Sequence, residues 1–350
     1  MDSSDSGKSM ADVMLDLKAI RFNPKPLGGR TSTALLGLLD VPPMVLDTQR
    51  RTAGRLYPYP DPFRSVTFPS LDDTPLAGKI ALHGDGKPRP GIVFCHGVLG
   101  SKNQTLVRNV AIKAFRDWDF NVLALDLRIF GESRLLSEAL PTGGWKEAED
   151  IIGAARLLGS FSEVTTVGVS GYSMGAGATM VAAGMDGGEY ITGGVIAWNG
   201  FSDTRRMVEH ISKAPMPWEP FAVAYPLFQT LFLLKRHDLG KGYAHIKNFG
   251  QIYTHACTDQ YCHTEDEVYS RSSPKNYLDK VRIPTLHVHS VDDPIVPVLE
   301  AEDNAQIARD NPNVDVWILK RGGHCAWALV DGAWYGHVLR DFFNAWALGT

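Results

Sequence analysis

The sequence is poor in cysteine: its 350 residues include four, at positions 95, 257, 262 and 325. Their spacing contains no C-x-x-C pair and no disulfide framework, which suits a reducing compartment. Cys257 and Cys262 lie between His255 and His263, a composition that zinc could use. The second pair of ligands that a structural zinc site needs is missing. We therefore predict no metal and no other cofactor.

The sequence also lacks an excess of one charge and a long hydrophobic run. Its 35 basic and 39 acidic residues give a net charge of −4 without a basic cluster, which argues against a nucleic-acid partner. Residues 1–6 are polar and acidic, unlike a signal peptide, and the apolar stretch 221–234 is interrupted by Pro226 and Gln229. We expect a cytoplasmic protein with no transmembrane segment.

The most informative feature that is present is the sequence G-Y-S-M-G at residues 171–175. The β-branched residues 164–170 before it predict a buried strand, and the small residues 176–183 after it predict a tightly packed helix. In this context the serine lies on a sharp, strained turn that exposes its hydroxyl above the sheet. Glycines two positions before and after it leave room for the neighbouring elements. The pattern predicts Ser173 as a nucleophile.

A serine nucleophile needs a base to accept its proton and an acid to orient that base. His324 follows two glycines on a loop after a predicted strand at 314–319, so it is the best placed of 11 histidines. Structural roles are favoured for His96, His287, His289 and His337. Three carboxylates follow predicted strands and compete as the acid: Asp203, Asp292 and Asp293.

The negative charge that develops on a substrate carbonyl oxygen is best stabilised by backbone N–H groups already in place. Residues 96–101, H-G-V-L-G-S, form a loop between a predicted strand and a predicted helix over 103–118. We assign the two donors to the backbones of Val98, on this loop, and Met174, directly after the nucleophile. Together these groups predict an oxyanion hole.

These stretches resemble the α/β-hydrolase superfamily, and most closely its YheT-like branch. The resemblance covers about residues 75–350 with one divergent interval, and includes Ser273-Pro274, Tyr277-Leu278, residues 283–286, Asp292-Asp293-Pro294, residues 311–314 and Gly322-Gly323-His324. The order serine, acid, histidine is that of the superfamily. Its spacing places the acid four residues before a proline, here Pro297, which favours Asp293 over Asp292.

The sequence departs from the superfamily at residues 126–133, which read D-L-R-I-F-G-E-S. Where the superfamily has D-x-R-G-x-G-x-S, Ile129 replaces the first glycine. We expect this replacement to change the shape of a loop near the site.

The resemblance implies an α/β-hydrolase fold: a mostly parallel, doubly wound sheet with helices on both faces and an inserted helical cap. The alternation of strands and helices agrees with it. We predict an N-terminal extension at 1–60, a hydrolase core at 61–200 and 272–350, and a cap at 201–271. Within the core we expect an antiparallel hairpin over 65–68 and 76–82 and a closing helix over 334–348. Residues 1–60 combine an amphipathic stretch at 13–22 with a segment punctuated by proline and glycine.

The cap interval is aromatic and apolar, which predicts a wall over an apolar substrate pocket. The alternative is that these side chains only pack the cap onto the core. Six residues are the predicted pocket lining: Leu99, Tyr172, Trp218, Phe221, Tyr225 and Phe228.

The predicted function is therefore that of a serine esterase that cleaves a small carboxylic ester with an apolar part. An acyltransferase or thioesterase could use the same three residues, and a ligand-binding protein with little turnover is a further alternative. Dehalogenases and epoxide hydrolases are disfavoured, because they need a carboxylate where Ser173 stands. Acyl length and oligomeric state remain open.

Overall fold

Eight strands form one sheet in the computed structural model, which describes residues 9–49, 53–226, 229, 232–233, 246–248, 251–252, 260–262 and 264–347. The strands are β1 (Arg64–Pro69), β2 (Pro75–Ala81), β3 (Arg89–Cys95), β4 (Asn121–Asp126), β5 (Val164–Tyr172), β6 (Val195–Trp198), β7 (Thr285–Ser290) and β8 (Val314–Leu319). Their spatial order is β1-β2-β4-β3-β5-β6-β7-β8. This order places β5, which ends at the predicted nucleophile, near the middle of the sheet.

The sheet is antiparallel at one edge and parallel elsewhere. β1 and β2 form the predicted hairpin, with Phe68 opposite Leu76, and β2 pairs antiparallel with β4. The other pairs are parallel. Every residue of β4, β6 and β7 is buried, as expected for parallel strands covered on both faces. The predicted α/β-hydrolase fold, with its mostly parallel sheet, is confirmed.

Helices cover both faces of the sheet. Those described are α1 (Met10–Lys18), α2 (Gly29–Gln49), α3 (Ala53–Leu56), α4 (Thr105–Asp117), α5 (Trp145–Gly159), α6 (Met174–Asp186), α7 (Thr204–Ser212), α8 (Glu265–Ser272), α9 (Val298–Ile307) and α10 (Trp327–Ala347). Short 3-10 turns occupy Ser133–Leu135, Pro220–Val223, Pro274–Asn276 and Leu278–Lys280. None of the helices in the described ranges is long and apolar enough to cross a membrane.

Alternate residues of β3 divide between two hydrophobic cores, one on each face of the sheet. Ile92 and Phe94 pack with α1, α4 and α10, whereas Val93 and Cys95 pack with α5 and α6. This division follows from the two-residue repeat of a strand. Because both faces are filled, the sheet is a rigid base for the loops at its carboxyl edge.

The N-terminal and C-terminal helices differ from expectation. The segment punctuated by proline and glycine contains the 21-residue helix α2, although Pro42 and Pro43 lie inside it. A proline in a helix interior removes a backbone N–H donor, so local propensity alone disfavours this helix. The closing helix α10 is interrupted at Asp331, where φ is −151° and ψ is 84°; the predicted helix from 334 lies in the part after this kink, and a further helical turn from Trp327 precedes it.

The loop after β4 keeps a glycine-like backbone at the position where glycine is replaced. Ile129 has a φ of 62°, in the left-handed region that glycine favours, and Gly131 has a φ of 50°. A β-branched residue in this region carries conformational strain. Ile129 therefore adopts a backbone conformation that glycine would adopt without this strain.

Candidate active site

Ser173 lies on a strained turn between β5 and α6. Its φ of 57° and ψ of −119° are unfavourable for a residue with a side chain. A side-chain carbon on Gly171 would collide with Thr179 Oγ1, and one on Gly175 would collide with the carbonyl oxygen of His96. Both glycines are therefore required for the helix and the neighbouring strand to approach the turn.

The structure brings Ser173, His324 and Asp293 together from three loops that are distant in sequence. Nε2 of His324 lies 2.9 Å from Oγ of Ser173, within hydrogen-bond distance. Nδ1 of the same ring lies 2.9 Å from Oδ2 of Asp293. One imidazole thus bridges a hydroxyl and a carboxylate, the arrangement in which the carboxylate fixes the ring tautomer.

Asp293 is held as a carboxylate by several donors. The backbone N–H groups of Ile295 and Val296 donate to Oδ1 at 2.8 and 3.0 Å, and Nδ2 of Asn199 donates to Oδ2 at 2.8 Å. Burial acts to raise the pKa of Asp293, but the interactions with His324 and His289 and the hydrogen bond from Ile295 outweigh it, so the pKa lies below the usual range. The carboxylate is buried yet ionised at neutral pH.

Asn199, directly after β6, connects the loops that carry Asp293 and His324. Its Nδ2 also donates to the carbonyl oxygen of Gly323 at 3.0 Å. Its Oδ1 accepts from the backbone N–H of Cys325 at 3.1 Å and from Nε1 of Trp327 at 2.7 Å. The sequence singles out this loop only for Asp203, so the role of Asn199 was missed. The available signal was an asparagine beside a glycine at the carboxyl end of a strand.

Helix α2, in the N-terminal segment, supports the loop that carries His324. The backbone N–H of His324 donates to Oγ1 of Thr33 at 2.8 Å. Gly323 has a φ of 57°, and a side-chain carbon there would lie 2.9 Å from both the Gly29 carbonyl oxygen and Thr33 Oγ1. This contact crosses almost 300 residues of sequence, and no local motif indicates it.

The two rival carboxylates make other contacts. Oδ1 of Asp292 accepts from the backbone N–H of Gly323 at 2.9 Å. Asp203 is the N-cap of α7, where it accepts from the backbone N–H of Arg206 at 3.1 Å, and it also pairs with Nζ of Lys275 at 2.5 Å. Both act as local structural groups, whereas Asp293 faces the imidazole.

The loop predicted to stabilise an oxyanion lies directly against Ser173. A side-chain carbon on Gly97 would lie 3.0 Å from Cβ of Ser173 and 3.5 Å from its Oγ. Val98 follows on this loop, and Met174 is the first residue of α6 after Ser173. The N-terminus of a helix presents backbone N–H groups and a positive dipole end to a developing negative charge.

Among the described residues, two cavities are lined by Ser173. The larger, of about 580 Å³, is walled by α2, the loop after β3 and His324. The smaller, of about 40 Å³, lies beneath α7 and is lined by Val98, Met174, Phe201 and the inner face of that helix. Most of the side chains that line both cavities are apolar, so the site suits an apolar ligand.

The predicted pocket residues divide between this site and other places. Leu99 and Tyr172 line the larger cavity. Trp218 is 70% exposed, and Phe221 is buried against a separate cavity behind Asp293. Tyr225 packs against the core, and Phe228 lies outside the described residues. Among its described residues, the cap interval contributes Ala224 to the larger cavity, and Phe201 and α7 to the smaller one.

No group of three metal-ligating side chains is found within the described part of the chain. The segment with Cys257 lies mostly outside that part, since residues 253–259 and 263 are not described.

Comparison with known proteins agrees with this architecture, which is the α/β-hydrolase fold. No family model matches the chain. Among solved structures, the chain is similar to the esterase Pf2001 of Pyrococcus furiosus, with a TM-score of 0.59 and 18% identity over 84% of this chain and 95% of that one. It is also similar to the acylaminoacyl peptidase of Pyrococcus horikoshii, with a TM-score of 0.51 and 18% identity over 81% of this chain and 41% of that one. At these identities the likeness shows the fold alone.

Proposed function

We propose that this chain is a serine hydrolase of carboxylic esters. The observation that carries the proposal is the continuous contact from Ser173 Oγ through the imidazole of His324 to the carboxylate of Asp293, at 2.9 Å on each side. In this role Ser173 is the nucleophile, His324 the base and Asp293 the acid that orients it. The fold shared with an esterase of Pyrococcus furiosus is consistent with the proposal.

The chemistry follows from the positions of these atoms. His324 Nε2 accepts the hydroxyl proton while Ser173 Oγ attacks the ester carbonyl carbon, and the backbone N–H groups of Val98 and Met174 stabilise the oxyanion. His324 then donates that proton to the departing alcohol, which leaves an acyl-enzyme. A water molecule, activated by the same imidazole, releases the carboxylic acid and regenerates the serine.

The apolar walls of both cavities favour an ester over a peptide substrate. A peptide brings N–H and C=O groups on each side of the scissile bond, and each needs a partner when water is removed. The larger cavity is lined mainly by leucine, valine, alanine and glycine residues together with a few polar groups. A small ester with an apolar part satisfies this lining better. Acyl transfer and thioester cleavage use the same machinery and stay as alternatives.

The predicted cytoplasmic location and the resemblance to the YheT-like branch rest on sequence patterns and accompany this proposal as predictions. The direct test is turnover of short p-nitrophenyl esters by the full chain and by Ser173→Ala. We expect turnover in the first and only the background rate in the second. Equal turnover in both would overturn the proposal. Product analysis with and without an added alcohol acceptor separates a hydrolase from an acyltransferase.

A further inference from the structure

The two cavities at Ser173 differ in their relation to the base. His324 lines the larger cavity together with Gly97, Leu99 and Ser173. The smaller cavity is lined by Ser173 and Met174, and His324 does not belong to its described lining. The nucleophile is therefore shared, whereas the imidazole faces one side only.

This asymmetry gives the ester a direction, provided that the proposed function holds. In the first half of the reaction His324 must donate its proton to the alcohol oxygen as the carbon–oxygen bond breaks. The alcohol oxygen must therefore lie near Nε2, and the group attached to it extends into the cavity that contains the imidazole. The acyl group, on the other side of the carbonyl carbon, therefore lies in the smaller cavity.

The sizes of the cavities then limit the two halves of the ester. One water molecule needs roughly 10–15 Å³ on this scale, so the smaller cavity of about 40 Å³ has room for roughly three atoms of that size. An acyl group with a few carbon atoms beyond the carbonyl fits, and a fatty acyl chain does not. The larger cavity of about 580 Å³ holds a bulky group.

The walls support the same assignment. The smaller cavity is closed by Met207, Val208 and Ile211 on the buried face of α7, which packs onto the main core. Well-packed cores do not open for several methylene groups without a cost of about 1–3 kcal/mol or more. The wall of the larger cavity is α2, with Leu36 and Gly37 half-buried and Val41 farther along the helix.

We infer that the substrate class is a short-chain acyl ester of a bulky apolar alcohol, with the acyl group beneath α7 and the alcohol against α2. The N-terminal helix is then the part of the chain that selects the alcohol. This inference deepens the proposed function and depends on it.

A pair of isomers tests the direction without any mutation. Octyl acetate and ethyl octanoate have the same formula and differ in which side of the ester carries the long chain. We expect kcat/KM for octyl acetate to exceed that for ethyl octanoate by on the order of 100-fold, measured by acid release at constant pH and corrected for the alkaline hydrolysis rates. A ratio of one or less would overturn the inference.

A pair of matched variants tests whether α2 forms the wall that contacts the alcohol group. Gly37→Phe places a ring on the wall of the larger cavity, and we expect the ratio of kcat/KM for octyl acetate over ethyl acetate to fall at least tenfold. Leu35→Phe adds a ring on the same helix at a position that lines neither cavity, and the ratio should stay within twofold of the original. An unchanged ratio in Gly37→Phe would contradict the assignment of α2.

A second pair of variants tests whether α7 limits the size of the acyl group. Ile211→Ala should raise kcat/KM for ethyl octanoate relative to ethyl acetate about tenfold, whereas Glu209→Ala, on the exposed side of α7, should leave that ratio unchanged. A chain that turns over p-nitrophenyl esters through Ser173 but prefers ethyl octanoate refutes this inference alone. A chain with no Ser173-dependent turnover refutes the proposed function as well.

Discussion

The N-terminal helix α2 and the aromatic residues Trp218 and Phe221 of the cap interval make opposite contributions to the larger cavity. The cap interval has the aromatic composition that suggests a pocket wall, yet Trp218 is mostly exposed and Phe221 lines another cavity. Helix α2 contains no aromatic residue, yet it lines the larger cavity and supports the loop of His324. The comparison teaches that composition indicates which residues are apolar, whereas topology decides which of them reach the nucleophile.

The largest change in kcat is expected to distinguish Asp293, the proposed acid, from Asp203, the carboxylate near the start of the cap interval. Asp293→Asn removes the charge that fixes the imidazole tautomer, and we expect kcat to fall on the order of 10⁴-fold. Asp203→Asn changes the N-cap of α7 and should lower kcat less than tenfold. Steady-state kinetics on a p-nitrophenyl ester measures both. Comparable losses in the two variants would mean that Asp293 does not have the proposed role.

A second prediction concerns a buried carboxyl on α2. Asp40 is 6% exposed and lines the larger cavity, and burial raises its pKa from the ordinary 3.8 to about 6, although hydrogen bonds from Leu106 and Thr105 act in the opposite direction. The folded state then holds the proton more tightly than the unfolded chain. Stability is therefore lost as the pH rises from about 4 to about 6, and the loss persists above that window.

Asp40→Asn should remove this dependence. We expect the variant to match the unmodified chain below pH 4 and to exceed its free energy of unfolding by on the order of 2–3 kcal/mol at pH 7. Urea unfolding at several pH values measures the difference. A variant less stable at pH 7 would show that the ionised carboxylate stabilises α4 more than its burial costs.

A third prediction tests the support that α2 gives to the base. Thr33→Val keeps the shape of the side chain but leaves the backbone N–H of His324 without its partner, at a cost of about 1–3 kcal/mol. We expect kcat to fall about tenfold with little change in KM, because the imidazole is displaced while the cavity is retained. Thr33→Ser, which keeps the hydroxyl, should restore most of the activity. Failure of the serine variant to do so would argue against the hydrogen bond as the cause.

The smallest effect is expected at the most prominent aromatic residue of the cap. Trp218 is 70% exposed and lies outside the lining of both cavities, so Trp218→Ala should change kcat/KM for octyl acetate less than twofold. Its effect on the free energy of unfolding should stay within about 0.5 kcal/mol. A large loss of activity would place Trp218 at the substrate and contradict the comparison with α2.

The nucleophile turn and the sheet could be predicted because their signals are local. The glycines around Ser173 are dictated by backbone contacts within the turn and its neighbouring strand, and the hairpin of β1 and β2 follows from strands separated by a short polar turn. His324 and Asp293 could be proposed as base and acid because each follows a predicted strand, in the chain order typical of the fold. In the structure His324 contacts Ser173 and Asp293 contacts His324, which agrees with this choice.

The contacts of Asn199 and Thr33 could not be predicted, because they depend on distant segments that meet at the site. Asn199 joins two loops more than 90 residues away, and Thr33 lies on a helix whose prolines argue against it locally. A cavity wall made by the N-terminal segment has no sequence motif of its own.

The most direct test of the central claim is to map the residue that reacts with a fluorophosphonate. Mass spectrometry of the full chain after reaction should show a single adduct, located on the peptide that contains Ser173. The adduct should be absent from Ser173→Ala and formed far more slowly in His324→Ala, because the hydroxyl is then without its base. An adduct on another residue, or one that persists in Ser173→Ala, would contradict the account.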